Sequence, residues 1–211
     1  MERLIEDLEE NKEWRIGELS QLKVILNHEN IHNEANYNFL SKYAIPTACA
    51  IWEGFFKEAI GNYFSFFNRN SKIEKDLEII TNIIIHNDII KINYQDFDSK
   101  KRLVNSIKDV LNNPQFRDNK PRVGLQKLGD TNKFLERIKL DPINFEYSSK
   151  LNPMIDLRNT IFHGEKSERN LSYEEIEIYI NFIIELMNIL SDNIVNKATE
   201  LLMCLPNNEE F

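Results

Sequence analysis

Residues 46–68 read PTACAIWEGFFKEAIGNYFSFFN and lie in the most apolar part of the chain. At helical spacing, apolar side chains cover much of the circumference: Ala48, Ala50, Ile51, Trp52, Phe55, Phe56, Ala59, Ile60, Tyr63, Phe64 and Phe67. Such a helix belongs in the centre of a bundle. Pro46 suits the first turn of a helix and not its interior, so we expect a short helix at 34–44 and a long one from residue 46.

Amphipathic patterns near the two ends of the chain predict helices that flank this one. Residues 3–28 carry a sparse stripe of Leu and Ile at helical spacing. Gly17 is a candidate position for a bend, because Gly weakens a helix interior by about 1 kcal/mol relative to Ala. Ser172 and Glu175 make a capping box, from which we expect a long helix to about residue 200.

The middle of the chain has weaker patterns. Residues 73–93 are rich in Ile and fit a helix, although their β-branched content is also compatible with a strand. Residues 99–112 fit a helix, and a shorter helix N-capped by Asp130 or Thr131 is expected to end at Arg137.

These patterns together predict an all-α helical bundle in one domain, residues 1–211. Its core helices are expected at about 35–68 and 148–198, with residues 70–147 as an insertion between them. A length of 211 residues is compatible with one domain that carries such an insertion.

Charge is distributed unevenly along the sequence. The formal net charge is −8, yet residues 99–139 hold 11 basic and 4 acidic side chains, a local net of +7. A phosphate-bearing partner is expected to meet this basic block, with Lys120, Arg122 and Lys127 as candidate RNA-binding residues. The alternative is a solvated, lysine-rich insertion without a ligand.

A cation, a side-chain amide and an imidazole lie together in Arg158-Asn159-Thr160-Ile161-Phe162-His163-Gly164. Gly164 follows an apolar-periodic segment that includes Ile161 and Phe162. The glycine is therefore predicted to be the left-handed residue after a helix, with His163 in the last turn. Ser148 or Ser149 is expected to cap the start of that helix.

These side-chain types suit the hydrolysis of RNA without a metal, which needs proton transfer at two oxygens and stabilisation of charge on the phosphate. An imidazole can transfer protons near neutral pH, and a guanidinium presents a planar fork to phosphate oxygens. On an ideal helix Arg158 lies about 140° from His163, so they converge only through a frayed last turn or across two subunits. A His that only complements the helix dipole is the alternative.

Two segments resemble known proteins. Arg158-Asn159-xxx-His163-Gly164 resembles the signature of HEPN domains, in which Arg and a polar residue, often Asn, precede a few variable residues and His. Ala50-Ile51-Trp52-Glu53-Gly54-Phe55-Phe56-Lys57 is similar to the Trp-Glu-Gly-Phe helix of stand-alone prokaryotic HEPN nucleases related to the RiboL-PSP group. The two segments cover the core helices, whereas the basic insertion contains no motif that matches.

The resemblance implies a HEPN-like helical bundle with a basic insertion between core helices, which dimerises with both Arg–His motifs facing one groove. It implies a metal-independent endoribonuclease that leaves 2′,3′-cyclic phosphate ends. By position, His163 is the acid/base residue, Arg158 the phosphate contact and Asn159 the supporting polar residue. Glu53 matches the acidic residue of the upstream motif and is expected to orient Arg158 or His163.

The resemblance also bears on partners. Many similar proteins resemble toxins or anti-phage effectors, so the expected partners are RNA, a second copy of the chain, and an antitoxin or immunity protein. Members that are neutralised by adenylylation carry Tyr two residues after the His, where this chain has Glu165, so that regulation is not expected. The alternative function is a catalytically inactive module that binds nucleotide or RNA, or only dimerises.

No cofactor or metal is expected. His28 and His32 flank Glu29 at a metal-pair spacing, but the rest of a zinc-protease signature is absent. Cys49 and Cys204 are isolated, which is typical of a reducing compartment. The acidic N-terminus is unlike a secretory signal, and polar residues interrupt the longest apolar run, so we expect a cytoplasmic protein without a membrane span.

Overall fold

A computed structural model of the chain describes residues 1–27, 34–70, 127–163 and 171–203, and seven positions between 97 and 108. These residues are largely helical and include no β-strand, which confirms the all-α fold. The helices with described bounds are α1 (Glu2–Leu26), α2 (Glu34–Arg69), α3 (Leu128–Arg137), α4 (Ser148–Phe162) and α5 (Tyr173–Met203), with a 3₁₀ turn at Phe145–Tyr147.

The middle of the chain is described only in part. The predicted helix or strand at 73–93 and the turn-rich segment 113–126 lie outside the described residues. Within the predicted helix at 99–112, all five described positions are helical.

Helix α2 lies at the centre of the bundle and packs against α1, α4 and α5. Most side chains of the predicted apolar set are buried: Ala48, Ile51, Trp52, Phe55, Phe56, Ala59, Ile60, Tyr63, Phe64 and Phe67. Ala50 of the same set is exposed, whereas Phe66, which was not in the set, is buried. Burial of one such large side chain contributes roughly 1.5–3 kcal/mol. The ring of Phe56 lies 6.0 Å from that of Phe134 on α3, so α3 shares the same core.

Pro46 lies inside α2, so the predicted break between two helices is wrong. Proline donates no backbone hydrogen bond, and its ring displaces the carbonyl group four residues earlier. The Thr47 hydroxyl donates to the carbonyl oxygen of Tyr43 at 2.8 Å, which adds a hydrogen bond in the turn that precedes the proline. Ile45 and Ala48 are fully buried on the two sides of the proline, so tertiary packing holds the helix through it.

Helix α1 runs through Gly17 without a break. It packs against α2 and α5 through leucines at helical spacing. These are Leu4, Leu8, Leu19 and Leu26. Ile25, which the periodicity placed on the same stripe, is instead about half exposed.

A buried arginine joins α1 to α2. The Arg15 guanidinium donates to Glu58 Oε2 at 3.1 Å and to the carbonyl oxygen of Asn11 at 3.2 Å. Its Cζ lies 4.0 Å from the centre of the Trp14 ring. A Cβ atom at Gly54 would lie only 3.1 Å from Arg15 Nη2. The glycine of the Trp-Glu-Gly-Phe segment therefore leaves room for the guanidinium.

Helix α3 begins at Leu128, earlier than the predicted caps Asp130 and Thr131. The Leu128 N–H donates to Asn152 Oδ1 at 3.0 Å. Asn152 belongs to α4, 24 positions further along the chain, so a neighbouring helix supplies the cap. The predicted local caps are therefore wrong.

Helix α4 begins at Ser148, as predicted, but neither predicted serine caps it. Its N-cap residue is Tyr147, at the end of the 3₁₀ turn, and makes no side-chain cap. The Ser149 hydroxyl instead donates back to the carbonyl oxygen of Glu146 at 2.8 Å.

The predicted capping box at the start of α5 is confirmed. Ser172 N–H donates to Glu175 Oε2 at 3.0 Å, and Glu175 N–H donates to Ser172 Oγ at 3.2 Å. By length and composition alone, α5 is the one helix in the described part of the chain that could cross a membrane. A core helix passes the same test, and α5 buries a face against α1 and α2 that includes Ile180, Leu186 and Ile194.

Candidate functional site

The Arg158–His163 motif occupies the last turn of α4. The helix ends at Phe162, and His163 is its C-cap residue. The His163 N–H still donates to the carbonyl oxygen of Asn159 at 2.9 Å. The backbone is therefore helical up to the amide of His163, which lies at the end of the helix, as predicted. Gly164 lies outside the described residues.

The Arg158 guanidinium is held by its own helix. Arg158 is half-buried, and its Nη1 donates to Asn159 Oδ1 at 2.9 Å. Its Cζ lies 4.8 Å from the centre of the Phe162 ring, one helical turn further on. Among the described residues Arg158 makes no ion pair, so its positive charge is not neutralised at short range by any carboxylate in that part of the chain.

The order of the side chains around α4 follows from the regular helix. At about 100° per residue, Phe162 lies about 40° from Arg158, Asn159 about 100° and His163 about 140°. The shorter arc from the guanidinium to the imidazole therefore passes over Phe162 and Asn159. The His163 side chain is exposed, and its imidazole has no hydrogen-bond partner within the described ranges.

Helix α2 brings Glu53 to the same region. The buried thiol of Cys49 lies one turn before Glu53 and within electrostatic reach of both Glu53 and Arg158. Burial raises the pKa of Cys49 to about 12, with Arg158 opposing the rise and Glu53 adding to it. The Glu53 carboxylate accepts a hydrogen bond from Lys57 Nζ at 2.5 Å, the i,i+4 pair that the sequence allows. Its expected orienting role toward Arg158 or His163 stays a prediction.

Of the three candidate RNA-binding residues, Lys127 is the one that the structure describes. Its Nζ lies 3.1 Å from the Asp156 carboxylate, and both side chains are more than half exposed. Lys120 and Arg122 lie outside the described residues. Because Asp156 lies two residues before Arg158, Lys127 connects the basic block to the helix that carries the motif.

The described residues contain no group of His, Cys, Asp and Glu that could hold a metal. Outside the described residues lie His28 and His32, the pair considered above as metal ligands, and Glu165. Within the site, sequence analysis missed the exposure of Phe162, which it had placed on the apolar stripe. The available signal was its position at the very end of the helix, past the last buried residue, Ile161.

Comparison with known proteins places these features in a family. The family model of RiboL-PSP-HEPN matches residues 10–196 of the chain, a span that includes α2 to α4 and most of α1 and α5. HEPN families are generally associated with ribonuclease activity, and a nucleotide-binding role also occurs. No curated protein and no solved structure matches the chain.

Proposed function

Because the chain belongs to the RiboL-PSP-HEPN family, we propose that it is a metal-independent endoribonuclease. The observation that carries this proposal is the end of α4. There, a guanidinium without a described ion-pair partner lies five residues before an exposed imidazole at the end of one helix. A cation and a proton-transfer group are the two functions that cleavage of RNA without a metal requires.

The proposed reaction is attack of a ribose 2′-hydroxyl on the adjacent phosphorus. A base removes the 2′ proton, the bond from O2′ to phosphorus forms, and the bond from phosphorus to O5′ breaks. A proton delivered to O5′ completes the step and gives a 2′,3′-cyclic phosphate and a 5′-hydroxyl. His163 transfers protons, Arg158 stabilises the charge on the phosphate oxygens, and Asn159 holds Arg158 through the 2.9 Å hydrogen bond.

We further propose that two copies of the chain complete each other's site. The regular last turn of α4 supports this, because Arg158 and His163 diverge by about 140° from one helix. A phosphate held by Arg158 of one copy is then approached by His163 of the second. Glu53 is proposed to orient these side chains. Its position near Cys49 supports that role, because Cys49 interacts electrostatically with both Glu53 and Arg158.

The basic block is proposed to contact RNA phosphates through Lys120, Arg122 and Lys127. The ion pair of Lys127 with Asp156 is solvent-exposed, so exchanging the carboxylate for a phosphate costs little. The proposed setting is cytoplasmic, as a toxin or anti-phage effector restrained by an antitoxin or immunity partner. This setting rests on the resemblance of the motif and the Trp52–Phe56 helix to such effectors.

The test is cleavage of a single-stranded RNA oligonucleotide in the presence of EDTA. Wild-type protein is expected to release 2′,3′-cyclic phosphate ends. Arg158→Ala and His163→Ala should abolish cleavage while the helical circular dichroism is retained. Glu200→Ala, an exposed change on α5, should cleave like the wild type. Cleavage that survives both motif changes would show the assignment of the site to be wrong.

The shared site has its own test in mixed protein. Arg158→Ala and His163→Ala copies are combined after separate purification, and cleavage should return because mixed dimers contain one intact residue of each kind. Absence of any recovery in verified mixed dimers would put both residues in one subunit's site. Salt-dependent RNA binding with no cleavage by the wild type would instead support the catalytically inactive RNA-binding module.

A further inference from the structure

We propose that Phe162 is a stacking platform for an unpaired nucleobase next to the phosphate held by Arg158. The proposal rests on the ribonuclease function proposed above and names its substrate class as single-stranded RNA. It starts from an observation that the apolar pattern of α4 does not explain. Phe162 is 64% exposed, while Leu151, Met154 and Ile155 on the same helix are buried.

The exposed ring is positioned by the motif itself. The Arg158 guanidinium lies 4.8 Å from the ring centre, and its Nη1 is fixed by Asn159. The cation therefore covers part of the ring, and the rest is open to solvent. An arginine beside an exposed aromatic ring is a combination that binds single-stranded nucleic acids, with the cation on a phosphate and the ring against a base.

The angular order of the side chains places the Phe162 ring next to the position proposed for the phosphate. Phe162 and Asn159 lie between Arg158 and His163 on the shorter arc around α4. Since Phe162 lies only about 40° from Arg158 and one turn further on, a nucleotide whose phosphate is held by Arg158 lies over this part of the helix end, while the second copy supplies His163. Its base then meets the Phe162 ring, provided that the base is not paired within a duplex. Stacking should therefore select unpaired RNA with little preference for base identity.

A protein partner fits this ring less well than a base. The side chains around Phe162 at the helix end are Arg158, Asn159, Thr160 and His163, all polar or charged. The core of a protein interface is depleted of charged residues, whereas RNA supplies a phosphate for a guanidinium that has no ion pair among the described residues. The ring is also a single exposed apolar group on this turn, because Ile161 is buried.

The test is binding of a fully 2′-O-methylated single strand, which cannot be cleaved, measured by fluorescence anisotropy. Phe162→Leu keeps an apolar side chain but removes the aromatic face, and should weaken binding by about 5- to 100-fold. Phe162→Tyr should bind like the wild type. The matched control is Phe145→Leu, because Phe145 is 68% exposed at the opposite end of α4 and should contribute nothing. A duplex of the same sequence should not distinguish Phe162→Leu from the wild type.

The outcomes separate the two proposals. If Arg158→Ala weakens binding and Phe162→Leu does not, stacking is refuted and the ribonuclease proposal stands. If Phe162→Leu lowers binding only by dissociating a dimer, as sedimentation would show, a second copy covers the ring and the stacking role is refuted. If the wild type neither binds nor cleaves RNA, the proposed function fails first and stacking falls with it.

Discussion

The substitution Gly54→Ala is expected to destabilise the protein, although it replaces glycine in a helix interior. Elsewhere in a helix the same change stabilises by about 1 kcal/mol. At Gly61, also on α2, a Cβ atom would meet nothing within 4 Å, so Gly61→Ala should show that full gain. At Gly54 the Cβ atom would lie 3.1 Å from Arg15 Nη2 and 3.6 Å from Nε.

The magnitude follows from how the guanidinium is held. Arg15 is buried, and Nη2 donates to Glu58 Oε2 at 3.1 Å while Nη1 donates to Asn11. A shift of a few tenths of an ångström lengthens these bonds together, and a hydrogen bond to a charged group is worth about 1.5–3 kcal/mol. Loss of one such bond exceeds the helix gain, which leaves Gly54→Ala about 1 kcal/mol less stable than the wild type.

The assay is urea unfolding of Gly54→Ala, Gly61→Ala, Arg15→Met and the double variant Gly54→Ala with Arg15→Met. Gly54→Ala should lower the free energy of unfolding in the wild-type background. In the Arg15→Met background it should raise that free energy, because the flexible methionine side chain can move aside. Equal stabilisation by Gly54→Ala and Gly61→Ala in the wild-type background would refute the reasoning.

Two further predictions concern the neighbouring packing. Burial raises the pKa of Cys49 to about 12, above the value of about 8.5 for an unfolded thiol. The stability linked to the neutral thiol is therefore complete below pH 8.5. As the pH rises toward 12, the unfolded state ionises first and the free energy of unfolding falls by about 1.4 kcal/mol per pH unit. In a Cys204→Ser background, the melting temperature of the protein that retains Cys49 should therefore fall more steeply between pH 8 and 10.5 than that of the Cys49→Ala variant. Parallel plots of melting temperature against pH would contradict this effect. Asn132 both accepts from Ile143 N–H at 2.9 Å and donates to its carbonyl oxygen at 2.7 Å, so Asn132→Ala should lower the free energy of unfolding by about 2 kcal/mol. Lys133→Ala, at the exposed neighbouring position, is the control. Equal unfolding midpoints for the two variants would show that the pair of hydrogen bonds between Asn132 and Ile143 does not stabilise the fold.

Local signals in the sequence predicted those parts of the fold whose partners are close along the chain. The capping box of Ser172 and Glu175 is such a case, because both of its hydrogen bonds join residues three apart. The start of α3 is the opposite case. Its cap, Asn152, lies 24 positions away, and no local pattern identifies it.

Tertiary contacts also overrode two local signals. Pro46 was expected to divide α2, but buried side chains on its two sides hold one continuous helix. Arg15 lies in a strongly charged segment, yet it is buried because Glu58, 43 positions later, pairs with it. Neither outcome follows from propensity, since both depend on which helix packs alongside.

In the candidate site, too, local features could be predicted from the sequence and side-chain contacts could not. The motif identified Arg158, Asn159 and His163 as neighbours on one helix end, and ideal helical geometry predicted their angular separation. The direction of the Arg158 side chain could not be predicted, because Asn159 and Phe162 compete with solvent for the guanidinium. The catalytic roles of these residues stay predictions until cleavage is measured.

The cap that Asn152 supplies to α3 also constrains the order of folding. Helix α3 has 10 residues, fewer than the roughly 12–15 that an isolated helix needs to persist in water. Its first amide has an acceptor only when α4 lies alongside, and Phe134 is covered only when α2 is present. Helix α3 should therefore form in the same cooperative step as its neighbours, and its core amides should exchange with deuterium no faster than those of α4.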